Sequence, residues 1–230
     1  MYLFETHLHT SEASACAALS GAEMARLCFE RGYSGFVVTD HFFNGYTAVP
    51  SDLPWTERVD IFVSGYLNAK SEGEKLGITV LFGIEFNFCG AEFLTYGLEP
   101  DFVYNNPDMD RLCAGEYIGL VQKSGGLLSQ AHPFREADYI DGIHLYPKTE
   151  AVEVINSAHK NKDFDRRAFE YAAERNKIMT AGGDSHFTNN LDGTGVLFDF
   201  EIKNNTDFVN ELRAGNYKLM YRGEEIYNNF

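Results

Sequence analysis

Gly35-Phe36-Val37-Val38-Thr39-Asp40-His41 is the stretch on which the fold turns: a short apolar run that stops on an acid and an imidazole. Uncharged until Asp40 and rich in β-branched and aromatic residues, it reads as a buried strand. A helical pattern over residues 21–30, ending at Arg31-Gly32, delivers the chain into it. The same grammar recurs on both sides. Upstream, residues 2–6 form a first strand that runs into His7-Leu8-His9. Downstream, a helical stretch over residues 56–76, closed by Gly77, leads to a third strand at 78–82 and then to Gly83-Ile84-Glu85.

Further elements follow the same rhythm. Strands are expected at 92–97, 126–130, 152–155, 177–181, 196–200 and 217–221, with helices over 109–123 and 164–175 and another begun at Thr206-Asp207. Strand–helix alternation repeated this often predicts an α/β fold with a parallel sheet, and its number predicts closure into a TIM-like barrel. An open doubly wound sheet is the competing architecture, but no G-x-G-x-x-G follows the first strand. No repeat or linker interrupts the chain, so residues 1–230 are expected to form one domain.

Chemistry gathers where these strands end. His7 and His9, two apart on extended chain, project to the same side. His41 follows the second strand and Glu85 the third; His132 ends Ser129-Gln130-Ala131-His132, and Asp184 and His186 end Gly182-Gly183-Asp184-Ser185-His186. In a parallel barrel all C-terminal strand ends share one face. Seven such donors exceed the needs of one tetrahedral ion, and a carboxylate such as Glu85 or Asp184 can bridge two. Mixed imidazole and carboxylate donors suit zinc, manganese or iron. Five of the seven histidines stand at these positions; His144 and His159 do not.

The formal charge of −15 repels nucleic-acid backbones and anionic membranes. An anionic substrate therefore needs local positive charge, which bound cations can supply. Cys16, Cys28, Cys89 and Cys113 show no paired spacing, so neither a disulfide framework nor a thiolate zinc site is expected. No apolar run reaches the roughly 20 residues that span a bilayer. The N-terminus shows no basic region followed by an apolar stretch, and a cytoplasmic location is expected.

The set His7-Leu8-His9-Thr10, Thr39-Asp40-His41, Gly83-Ile84-Glu85, Ala131-His132-Pro133 and Gly183-Asp184-Ser185-His186 resembles the polymerase and histidinol phosphatase (PHP) family, in its order and approximate spacing. The resemblance implies a distorted (β/α)7 barrel carrying two or three divalent metal ions. It implies that His7, His9, Glu85 and Asp184 hold one ion, that Glu85 bridges to a second shared with His132, and that His41 and His186 hold a third. Two departures stand out. Family members often carry an acid or imidazole shortly after His-x-His, where Glu12 is the candidate here. Many also carry a histidine near the strand after the Glu motif, where this chain offers only Glu92.

These residues predict a metal-dependent phosphoesterase that activates water against a small phosphate monoester (histidinol phosphate, sugar phosphate or nucleotide class), releasing inorganic phosphate. Arg135 is the candidate for gripping a phosphate oxygen, against a surface ion pair with Glu136 or Asp138. Asp40, Asp184 and a non-ligating imidazole such as His144 are candidates for catalytic proton transfer, and Asp184 and His186 are expected to be catalytic as well as metal-binding. Glu153 and Asn156 are candidates for orienting ligand histidines. Phe42, Phe43 and Tyr46 are read as core or rim, not as a nucleobase platform. Competing readings are a phosphotyrosine phosphatase, an exonuclease-type phosphodiesterase and a binding domain that keeps metals for stability alone.

Overall fold

The computed structural model describes residues 1–137 and 140–226. β1 (Tyr2–Leu8), α1 (Gly21–Glu30), β2 (Gly35–Val38), α2 (Trp55–Leu76) and β3 (Thr79–Phe82) open the chain as alternating strand and helix. The three strands pair in parallel. α1 begins where Ser20 and Glu23 cap each other's backbone amides, so the helix start is set by local chemistry. β2 and β3 are buried on both faces. Phe36, Val38, Val80 and Phe82 join one hydrophobic cluster, whereas Val37 and Leu81 between them join the other. Period-two alternation with apolar residues on both sides is what an unbroken apolar run implies.

At Gly83 the chain leaves this sheet. A Cβ there would lie 2.8 Å from Val37 Cγ1 and 2.9 Å from Thr39 Cγ2 and the Thr95 carbonyl, so only glycine allows the turn. β4 (Ile84–Phe88) then starts a second sheet, and β5 (Ala91–Tyr96) folds back on it as a hairpin. A connection of two residues permits only antiparallel pairing. After α3 (Asp101–Tyr104), a 3-10 turn (Met109–Arg111) and α4 (Ala114–Lys123), the chain adds β6 (Leu127–Ala131), antiparallel to β5. β7 (Ala151–Asn156), α5 (Asp163–Glu174) and β8 (Ile178–Gly182) continue that sheet in parallel. β9 (Gly195–Phe198) returns antiparallel to the free edge of β1, followed by α6 (Asn205–Ala214), β10 (Tyr217–Tyr221) and β11 (Glu224–Glu225).

The α/β class is as expected, but the sheet is neither wholly parallel nor continuous. The described strands form two mixed sheets, ordered β11-β10-β9-β1-β2-β3 and β4-β5-β6-β7-β8. Isolated parallel bridges, Leu8 to Ser185 and His41 to Glu85, join strand ends of one sheet to those of the other. The helix expected over 109–123 is also split, its first turn being the 3-10 segment and α4 starting only at Ala114. Among the described residues no helix is long and apolar enough to cross a membrane.

Candidate metal centre

Both bridges between the sheets lie at the potential ligands. His7 stands inside β1 and His9 just beyond it, and the His9 amide donates to the Ser185 carbonyl while the Ser185 amide donates to that of His7. His41 follows β2, His132 follows β6, and Asp184 and His186 follow β8. Glu85 was expected after β3. It is instead the second residue of β4, in the other sheet, delivered beside His41 by the turn at Gly83. His132 and Asp184 adopt left-handed backbone, with φ of 26° and 50°. Such conformations are costly outside glycine and persist where surrounding structure enforces them, as at functional sites.

Glu85 is the hub. Its Oε1 lies 3.1 Å from His7 Nε2 and 3.4 Å from His132 Nε2, and its Oε2 lies 2.8 Å from His41 Nδ1 and 3.3 Å from His9 Nε2. Asp184 Oδ1 is 3.5 Å from Nε2 of both His7 and His9 and 3.3 Å from His186 Nδ1. Three further donor groups overlap there: His9, His41 and His186; His7, Glu85 and His132; and His7, His9 and Asp184. Glu92 forms a fourth with His41 and Glu85, its carboxylate 3.4 Å from His132 Nε2. β5 thus brings an acid to the position where the sequence offers no histidine.

Supporting contacts decide which imidazole atoms face inward. His7 Nδ1 lies 2.9 Å from Glu153 Oε1, which leaves the Nε2 lone pair for the centre. Glu153 Oε2 accepts from the His132 amide at 3.0 Å and from Asn156 Nδ2 at 3.0 Å. Ser14 Oγ donates to Asp40 at 2.7 Å, so it accepts from His9 Nδ1 at 3.1 Å and frees His9 Nε2 in turn. Asp40 is buried behind the ligands, both of its oxygens taken by Thr10 and Ser14. Burial raises its pKa to about 6 against those hydrogen bonds. A carboxyl so enclosed braces the Thr10–Ser14 turn and does not line the cleft, which corrects the expectation of a catalytic role.

Among the described residues, the buried Nε2 atoms of His7 and His9, Nδ1 of His41 and both carboxylate oxygens of Glu85 have no hydrogen-bond partner beyond the contacts they make with one another. Buried polar atoms are nearly always paired, so five converging orphans of this chemistry fit a cation. The electrostatics agree. Burial presses Glu85 and Asp184 upward, but His7 and its neighbouring imidazoles outweigh it and hold both carboxyls well below the usual range. His9 is driven well below the ordinary imidazole value by burial and by His186 and His41, which keeps its lone pair available.

The group opens into a cleft of about 760 Å³. Arg135 lines it, its Nη1 3.5 Å from Asp184 Oδ2, while Glu136 pairs with Arg167 instead. Asp138, the other acid considered for Arg135, lies outside the described residues. Glu12 does not join the donors. Its carboxylate accepts from the Gly21 amide and from Asn68, because it closes the N-terminus of α1. His144 is exposed against Asp141, outside the cleft lining. Cys16 is the residue that sequence reasoning missed. It lines the cleft beside His41 and His186, whose contacts bring its thiol down to about 7 against the effect of burial. No spacing in the sequence marks it, since a loop fold alone carries it there.

A family model described as PHP-associated matches residues 163–217. No curated protein sequence matches the chain. Among solved structures, a two-domain protein from Bacteroides vulgatus, described as containing a PHP-like metal-dependent phosphoesterase, superposes with a TM-score of 0.74 at 14% identity. That likeness covers 98% of this chain and 66% of that one, so this chain spans just under two thirds of its length. A protein from Bifidobacterium adolescentis described as a metal-dependent phosphoesterase gives 0.54 at 13% identity, over 80% of this chain and 88% of that one. An amidohydrolase from Chromobacterium violaceum, solved with sulfate and no metal, gives 0.60 at 14%, over 96% and 98%. At these identities the likeness is one of fold.

Proposed function

We propose that residues 1–230 form a PHP-type metal-dependent phosphoesterase that hydrolyses a small-molecule phosphate monoester with activated water. The observation that carries the reading is the convergence of His7, His9, His41 and Glu85, whose inward atoms find no partner among the described residues outside their own cluster, and of which His41 and Glu85 line an open cleft with Arg135. A site kept for stability alone has no need of such an opening. The structural relatives described as phosphoesterases, and the sulfate held by the Chromobacterium violaceum protein, accord with a tetrahedral oxyanion as ligand.

His7, His9, Glu85 and Asp184 would hold one divalent ion, Glu85 and His132 a second, and His41 and His186 a third, with Glu92 available to the second. Zinc, manganese or iron bound there lowers the pKa of coordinated water and offsets phosphoryl charge. The chain's own residues do the rest. Glu153 and Ser14 set the tautomers of His7 and His9, so that lone pairs face the ions. Arg135 presents a guanidinium to a phosphate oxygen, and its proximity to Asp184 holds it there. His186, 16% exposed, lines the cleft as a donor with His9 and His41, so the proton for the departing alkoxide has to come from a group that holds no ion.

The test is phosphate release from monoesters, diesters and short oligonucleotides by protein of known metal content. Monoesters should be cleaved preferentially, chelation should stop the reaction, and zinc, manganese or iron(II) should restore it. Turnover indifferent to chelation, or metal-replete protein inert toward every ester, would overturn the proposal. Cleavage of oligonucleotides alone would replace it with the nuclease reading, against which the −15 charge stands.

A further inference from the structure

Four aromatic side chains are exposed among the described residues: Phe29, Tyr46, Phe187 and Phe200. Exposed apolar residues scattered singly are ordinary. Two of these, however, line the same cleft as His41, Asp184 and His186. Tyr46 is 66% exposed and Phe187 51%, although neither belongs to a loose segment. The Tyr46 carbonyl accepts from Ala15, and the adjoining Thr47 bridges Ser14. Phe187 sits in a closed turn in which its amide donates to Asn190 Oδ1 and its carbonyl accepts from the Asn190 amide. The Ala18 amide in turn donates to the His186 carbonyl. Both aromatic loops are thus fastened to the one short segment that carries Cys16, and both rings are left bare over a site rich in charge.

We propose that Tyr46 and Phe187 receive an aromatic or heteroaromatic ring on the alcohol half of the ester. The inference rests on the phosphoesterase reading and deepens it by naming the substrate class. The cleft then has two ends. Arg135 and the candidate metal ligands meet the phosphoryl group, and the exposed rings that line the same cleft meet the flat ring of the alcohol half. Faces of unsaturated rings stack on aromatic side chains whatever their heteroatoms, so nucleotides and aryl-bearing alkyl phosphates both satisfy the site. A bare sugar phosphate would leave the rings in water. Tyr46, which the sequence places at an unremarkable rim, thereby becomes a determinant of specificity.

The experiment compares adenosine 5′-monophosphate and 2-phenylethyl phosphate with ribose 5-phosphate; all three are esters of primary alcohols. On metal-loaded wild-type protein the two ring-bearing esters should show KM values about tenfold below that of ribose 5-phosphate. In Tyr46→Ala and Phe187→Ala that ratio should fall several-fold, and in the double variant approach one. Preference for only one ring-bearing ester would assign the site to nucleotides or to aryl groups. Equal KM values in the wild type, or a ratio unmoved by both substitutions, would overturn the proposal. Calorimetric titration with adenosine and with 2-phenylethanol separates it from the reading beneath it. Binding that the double variant loses, in a protein that cleaves no ester, would keep the aromatic site and discard the phosphoesterase.

Discussion

His9 and Asp184 show how far a single side chain carries the centre. Each belongs to the donor group completed by His7, and Asp184 also reaches His186 and Arg135. Replacing either with alanine should lower kcat/KM for a cleaved monoester by more than roughly 1,000-fold, a loss of about 4 kcal/mol of transition-state stabilisation. Circular dichroism should show the fold retained; near-normal turnover at saturating metal would refute the assignment. Glu153→Gln, one contact further out, should cost about 10–100-fold, because it loosens His7 without removing a donor. Glu5 gives a different kind of test. It is fully buried, and its Oε1 accepts from the amides of His7 and Gly183, so it clasps the two ligand-bearing strand ends together. Burial raises its pKa from 4.5 to about 8, outweighing those two hydrogen bonds. Between those values the folded protein keeps a proton that the unfolded chain has released, so stability falls as pH rises through the window. Glu5→Gln keeps the accepting oxygen and removes the charge. In chelator-treated protein its melting temperature should match wild type near pH 4 and exceed it by several degrees near pH 9. An equal difference at both ends would show that ionisation of Glu5 is not involved.

At the scale of elements, α2 braces the centre from behind at Gly65. A Cβ on Gly65 would collide with Thr10 Oγ1 and lie 3.1 Å from Asp40 Oδ2, the pair that secures the turn after His9. Glycine inside a helix usually costs about 0.5–1 kcal/mol relative to alanine, so Gly65→Ala would ordinarily stabilise. Here the close approach reverses the sign. The substitution should destabilise by about 1–3 kcal/mol, as overpacking does, and reduce turnover although no cleft residue changes. A melting temperature at or above wild type would show that the helix can shift without disturbing Thr10. The same element scale marks where the sequence was legible. Ligands carried in short motifs, such as His7-Leu8-His9 and Thr39-Asp40-His41, could be placed because a strand's end fixes where the next residues point. Glu85 was found as a donor but set on the wrong strand, since a one-residue sheet switch at Gly83 leaves the apolar pattern intact. The hairpin from β4 to β5 and the return of β9 reverse direction without altering period-two alternation, so the expected parallel barrel became two mixed sheets. Glu12, Cys16 and Tyr46 belong to loops whose partners lie far along the chain. Glu12 turned out to cap α1, while Cys16 and Tyr46 reached the cleft.

Over the whole molecule, an excess of acid surrounds an acid-rich interior. The chain carries −15, and Glu5, Glu85, Glu153 and Asp184 are all buried near one point. Without cations the interior can balance itself only with protons. Burial opposes protonation of His7 and His41, yet the neighbouring carboxylates prevail and lift both well above the ordinary imidazole value. Metal and proton therefore compete for the same lone pairs, and loading the centre must expel protons. Titrating zinc into chelator-treated protein near pH 7, in buffers of different ionisation enthalpy, should reveal at least about one proton released per first ion bound. Loading should also raise the melting temperature by on the order of 5–10 °C once free metal exceeds its dissociation constant about 100-fold, because only the folded chain assembles the site. The two readouts must move together. Stabilisation without proton release would mean that the ion sits on surface carboxylates, of which this protein has many. Proton release without stabilisation would mean that the unfolded chain binds the metal equally well, leaving the gathering of distant histidines at the sheet junction without thermodynamic effect.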